Sequence, residues 1–237
     1  MKYGESAFDV LYLLFAIISG CILLHRAKSR TERLMGFAAL ILGCGDAFHL
    51  VPRVLNYFAK ADFTAALGIG KLVTSVTMTV FYLLLYYVWL ELYREPEKRS
   101  LTRLVWILSA VRILLCLFPQ NGWLTNSSNM VWGIIRNVPF VLLGAAVCRL
   151  WYRKRREARI LAPVWLYILL SFLFYIPVAV GAGLVPMLGM LMLPKTVCYI
   201  LLIITFLRFA AEKRPTRKNA DYIQKADAAG DRPSESL

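Results

Sequence analysis

Apolar residues in this chain gather into seven long runs, at about 7–25, 34–58, 66–93, 101–119, 129–151, 160–184 and 187–209. A bilayer core about 30 Å thick takes about 20 apolar residues per helix, so each run is long enough to cross as one. Seven spans use roughly 140 residues and leave only short loops in a chain of 237. Composition agrees: 59% of residues are hydrophobic and the mean hydropathy is +0.60, against roughly 45–50% apolar in soluble domains. A single soluble globule is excluded. The expected fold class is all-α: a polytopic, multi-pass membrane protein with seven transmembrane helices over 1–210, followed by a polar, disordered cytosolic tail over 211–237.

The polar loops alternate in charge. The first carries Arg26, Lys28, Arg30 and Arg33, and the third Arg94, Lys98, Arg99 and Arg103. The fifth carries Arg149, Arg153, Lys154, Arg155, Arg156 and Arg159, and the tail is basic again; the opposite side has only Lys2 and Lys60. By the positive-inside rule this places the N-terminus outside and the C-terminus in the cytoplasm, in a plasma (cytoplasmic) membrane. The same alternation disposes of nucleic acid as the partner for a net charge of +14, because the basic residues are not gathered on one water-exposed face. The expected partners are the lipid bilayer and a ligand; oligomeric state is left open.

Two local signals carry less weight. Ile18-Ser19-Gly20-Cys21 is similar to a bacterial lipoprotein cleavage box, but Glu5 and Asp9 spoil the basic region such a signal needs, and the basic loop that follows opposes export. The five cysteines, Cys21, Cys44, Cys116, Cys148 and Cys198, all lie in apolar runs without CxxC or zinc spacing and read as small buried hydrophobes. With only His25 and His49 available, at different depths, no metal site and no cofactor are expected.

An internal repeat emerges at an offset of 127, which lays Cys21-Ile-Leu-Leu-His-Arg26 over Cys148-Arg-Leu-Trp-Tyr-Arg153. With small gaps between the blocks, Asp46 to Pro52 falls over Ser171 to Pro177, and Lys71, 19 residues beyond its proline, matches Lys195, 18 beyond its own. The expected plan is a 3+1+3 parallel repeat: repeat 1 at about 7–93, a linker helix at about 101–119 and repeat 2 at about 129–209. In architecture this plan resembles that of sugar-transporter-like proteins of the SWEET and PQ-loop kind, and of opsins. The only Pro-Gln, Pro119-Gln120, falls at the end of the fourth span, away from the PQ-loop position, and the resemblance assigns no family.

Five basic residues, Arg53, Lys71, Arg112, Arg136 and Lys195, lie inside spans, each costing about 2.5–3.5 kcal/mol if it faced lipid at mid-membrane. They should face the bundle interior in the outer half of the membrane, with Asp9 and Asp46 as the only acids at matching depth. Asp46, His49, Arg53 and Asn56 form one stripe on the second span. The repeat alignment sets Asp9 level with Arg136 and predicts that they interact. Uncompensated buried charge is strongly unfavourable, and convergent Arg and Lys donors suit a carboxylate or phosphate. The candidate ligand-binding residues are therefore Lys71, Lys195, Arg53, Arg112 and Arg136, with Asp46 and His49 tuning or proton-coupling the site.

Three readings compete. The favoured one is a non-enzymatic protein that binds a small anionic solute or lipid headgroup in an outward-facing basic cavity, a transporter rather than a receptor because the short tail offers no output domain. The alternative is an intramembrane lipid-modifying enzyme using Asp46 and His49 as acid and base, although no nucleophile or metal set accompanies them. The third is an internal ion-pair network that only fixes packing. For Lys195, after Pro194 in the last span, ion pairing and an opsin-type Schiff base also compete, with the proline expected to break the helix beside the charge.

Overall fold

A computed structural model describes residues 2–59, 61–94, 96, 98–127, 129–181 and 185–212. Seven α-helices make up most of these: α1 (Lys2–His25), α2 (Arg30–Phe58), α3 (Thr64–Tyr93), α4 (Arg99–Leu117), α5 (Met130–Arg153), α6 (Val164–Gly181) and α7 (Met192–Glu212). Two short 3-10 turns, Pro119–Asn121 and Pro186–Leu191, precede α5 and α7. All seven helical stretches are long and apolar enough to cross a membrane, and no strand occurs among the described residues. The described residues form an all-helical bundle with the length and composition of a membrane protein.

Helix ends are set by local chemistry. Ser29 caps α2 by accepting from the Glu32 amide at 3.2 Å, while the Glu32 carboxylate reaches back to the Lys28 amide at 2.9 Å, a close relative of the capping box. Asn129 caps α5 through the amides of Val131 and Trp132. At one end of the bundle, Arg53 near the close of α2 meets Glu5 and Asp9 near the start of α1. At the other, the Trp89 indole of α3 donates to the Leu150 carbonyl of α5 at 3.1 Å. These residues name the two ends below.

Each helix packs on the next, α1 closes against α7, and α3 reaches across to α5, leaving α4 at the periphery. The α2–α3 contact is the most intimate. A Cβ on Gly70 would overlap the Phe48 carbonyl and the His49 backbone, and one on Gly68 would overlap the Trp123 carbonyl, so glycine is what lets these segments touch. The middle of the bundle is aromatic. Tyr82 is wholly buried, with its ring 5.3 Å from Phe140 and 5.2 Å from Phe172 and its hydroxyl 3.1 Å from that of Ser171. Tyr82 and Tyr86 thus belong to the core, whereas Trp106, half exposed and bonded to the Tyr87 hydroxyl, fits an interfacial belt. Large apolar side chains such as Leu11, Phe48, Leu114 and Leu173 point away from the bundle, where lipid chains accommodate them.

Three expectations need correction. α1 starts at Lys2, which brings Glu5 onto the same helix as Asp9. α7 starts only at Met192, after the 3-10 turn, so Pro194 sits in the first helical turn, where proline is tolerated; it lies at the start of the helix rather than breaking it. Of the cysteines, Cys116 and Cys198 are buried and Cys148 is half-buried, but Cys21 and Cys44 lie on the bundle surface among lipid-facing side chains. Most of the polar tail, 213–237, lies outside the described residues.

Candidate functional site

Alternating helices bring the starts of α3, α5 and α7 and the ends of α2 and α4 to the Arg53 end. Lys71 and Arg136 stand in the second turns of α3 and α5, Lys195 in the first turn of α7, and Arg112 in the closing turns of α4. Between them lies a cavity of about 710 Å³. His49, Arg53, Lys71, Arg112, Arg136 and Lys195 all line it. Asp46 is not in the lining; its carboxylate accepts the Tyr12 hydroxyl at 2.7 Å.

Partners divide the five cations into two kinds. Arg53 is neutralised: its guanidinium is ion-paired with Glu5 and lies 3.9 Å from Asp9, while the Tyr57 hydroxyl also donates to Glu5 at 3.2 Å. Among the described residues, the other four make no direct contact with a carboxylate. Lys71 donates to the Asn126 side-chain oxygen at 2.8 Å, and Arg136 to that of Asn121 at 2.7 Å while its guanidinium lies 4.4 Å over the Trp123 ring. Arg112, 1% exposed, donates to the Arg136 backbone carbonyl and lies 5.0 Å over the Phe140 ring. Lys195 projects over the rings of Tyr175 and Tyr199, at 4.7 and 5.4 Å, and the carboxylate within electrostatic reach of it is Asp46. Among the described residues, Nε of Arg112 and of Arg136 are buried donors without a hydrogen-bond partner, and Nδ1 of His49 is likewise buried without one.

The expected Asp9–Arg136 interaction does not form. Asp9 is drawn to Arg53 on the adjacent helix, and Arg136 is turned to Asn121 and Trp123 of the α4–α5 connection. Equivalent depth on α1 and α5 does not bring side chains together when each has a nearer partner. The Asp46, His49, Arg53 stripe is also divided, since His49 and Arg53 reach the cavity and Asp46 turns to α1. An acid–base pair acting on one bound substrate requires both groups to face it, and here one does.

Residues that the sequence reading passed over complete the site. Glu5 supplies the missing negative charge, and Asn121, Asn126 and Asn137 supply neutral polar partners; Asn137 accepts the Tyr175 hydroxyl at 2.7 Å. The signal was available in the fourth connection, which carries no Lys or Arg but holds Asn121, Asn126 and Asn129 within nine residues. Asn121 is buried and ties three carbonyls at the end of α4, those of Leu115, Cys116 and Phe118, with one amide group. The cavity is walled on its apolar side by Met78, Phe140, Val178 and Met190. Its chemistry is that of a partly apolar pocket with convergent cationic donors. No protein-family model, curated protein or solved structure matches the chain.

Proposed function

We propose that this protein binds a small anion, either a solute or a lipid headgroup, in the cavity at the Arg53 end, and that it acts as a transporter rather than a receptor. One observation carries the reading: Lys71, Arg112, Arg136 and Lys195 surround a single cavity, and their direct partners are amides, a carbonyl and aromatic rings. Four cations gathered this way repel one another and are poorly solvated, which an anion in their midst relieves. A purely structural network would pair each with a carboxylate, as Arg53 is paired.

Orientation and repeat enter the same proposal. Basic side chains crowd the Trp89 end, so that end faces the cytoplasm and the cavity opens outside, across a plasma membrane. The 3+1+3 repeat is supported by the helix contacts: exchanging α1–α3 with α5–α7 turns α1–α2 into α5–α6, α2–α3 into α6–α7 and α3–α5 into α7–α1, all of which occur. Lys71 and Lys195, equivalent under that exchange, reach the cavity from opposite repeats. A site between repeats is where alternating access operates.

The test is a thermal-shift titration of the full-length protein in detergent with inorganic phosphate, citrate and anionic lysolipid. A ligand that binds only the folded state raises apparent stability by about 2.7 kcal/mol at a hundredfold excess over its Kd. At least one anion should do so for wild type, with its affinity reduced about tenfold or more in Lys71→Gln and Lys195→Ala. If no anion shifts the wild type and both variants merely melt at a different temperature, the cations are scaffolding and the proposal fails.

A further inference from the structure

A second cavity, of about 570 Å³, lies at the Trp89 end in the cleft between α3, α4 and α5, far from the anion site and unused by it. Its depth is apolar, formed by Trp89 and Leu90 of α3, Leu101 and Leu104 of α4, and Ala145 and Ala146 of α5. The paired alanines put little side chain into the α4–α5 seam, and the cleft opens to the lipid-facing surface, where Leu104 is 47% exposed. Its rim is basic, with Lys98, Arg149, Arg153 and Lys154.

Those two zones are stacked along one helix line. Ala145, Arg149 and Arg153 follow at intervals of four residues, so α5 presents a small apolar residue and then two cations over about 12 Å of rise. Lys154 is held by Glu157 at 2.7 Å and lies 5.7 Å over the Tyr93 ring, whereas Arg149 and Arg153 are exposed. No acid is among the described residues that line the cleft. Glu95 and Glu97 of the neighbouring connection lie outside the described residues, and even granted both, the basic residues of the α3–α4 and α5–α6 connections outnumber the acidic ones. The exposed Trp106 on α4, together with Tyr152 stacked edge-on to Trp165, sets this level at the membrane interface.

We propose that this cleft binds a diacyl anionic phospholipid of the adjoining leaflet, with an acyl chain along Ala145, Leu101 and Leu104 and the phosphate at Arg149 and Arg153. Apolar depth continuous with the lipid surface suits a chain, and the cationic rim at headgroup level suits its phosphate. A soluble phosphate ester would use the rim and have no use for the depth. A zwitterionic lipid would fill the depth and gain less at the rim.

Native mass spectrometry of the full-length protein in detergent, titrated with phosphatidylglycerol or phosphatidylcholine, reads the site directly. Phosphatidylglycerol should bind at least about tenfold more tightly, and the Arg149→Gln/Arg153→Gln protein should lose about thirtyfold, roughly fivefold for each basic residue removed at the interface. Arg156→Gln/Arg159→Gln, two exposed basic residues of the same end outside the cleft, should change affinity less than about twofold, since the interaction falls off with distance. Ala145→Leu fills the depth at unchanged charge and should weaken binding several-fold, which keeps the test alive if the arginine variant melts early. Equal losses from the two arginine pairs would assign binding to the whole basic face and overturn the site. So would unchanged binding in Ala145→Leu, or displacement of the lipid by glycerol 3-phosphate at matching concentration.

Discussion

At Lys71 a neutral amide stands where a buried ammonium ordinarily has a carboxylate. The Asn126 oxygen is 2.8 Å from Nζ, and Asn126 itself has a left-handed backbone (φ 50°), which aspartate tolerates nearly as well as asparagine. Asn126→Asp therefore installs an internal counter-ion without disturbing the turn. If the cavity is an anion site, that carboxylate occupies the place of the ligand: anion affinity falls about tenfold or more while the melting temperature holds or rises. Isothermal titration beside a melting curve distinguishes the outcomes, and unchanged affinity would show that Lys71 does not hold the anion. The five cations were legible in the sequence because a charge inside an apolar run announces itself. Their partners were not. Asn121, Asn126 and Trp123 come from a polar connection whose residues carry no individual signal, and Glu5 stood just outside the run assigned to α1.

Helices bear out the apolar runs because bilayer thickness sets their length, and the differences arise where proline and glycine act at the ends. Pro163 lies just ahead of α6 and Pro186 opens the 3-10 turn ahead of α7, so both helices start later than hydropathy implies. The α2–α3 seam was invisible for a different reason: a glycine in an apolar run looks like a tolerated defect until the neighbouring helix is in place. At Gly70 that neighbour is the backbone of Phe48 and His49, which cannot swing aside as a side chain can. Gly70→Ala should cost about 1–3 kcal/mol from overpacking, read as a lower melting temperature. It should weaken anion binding too, because His49 and Lys71 flank the same seam. A melting temperature equal to wild type would mean that the seam yields without strain.

For the whole molecule, the proposed outward opening of the cavity rests on the uneven spread of basic residues, and it can be tested chemically. The native cysteines lie within the helices, buried or among lipid-facing side chains, so a membrane-impermeant maleimide meets little background. Leu124→Cys, at a position 71% exposed in the α4–α5 connection, should label in intact cells, and Arg156→Cys only after permeabilisation. The reverse pattern would turn the cavity to the cytoplasm and remove the charge argument for its orientation.

The aromatic layer at Tyr82, Phe140 and Phe172 gives the molecule an electrical character as well as a packed centre. These rings touch one another from three helices and are almost wholly buried, directly below the cations. In this arrangement an ion entering at the Arg53 end meets a layer of closely packed rings below the cavity. Any solute that crosses must wait for those rings to part and close again, so its flux counts conformational cycles and saturates with concentration. A bilayer holding this protein would show no channel-sized conductance, and whatever charge the solute carries would cross at the pace of those cycles.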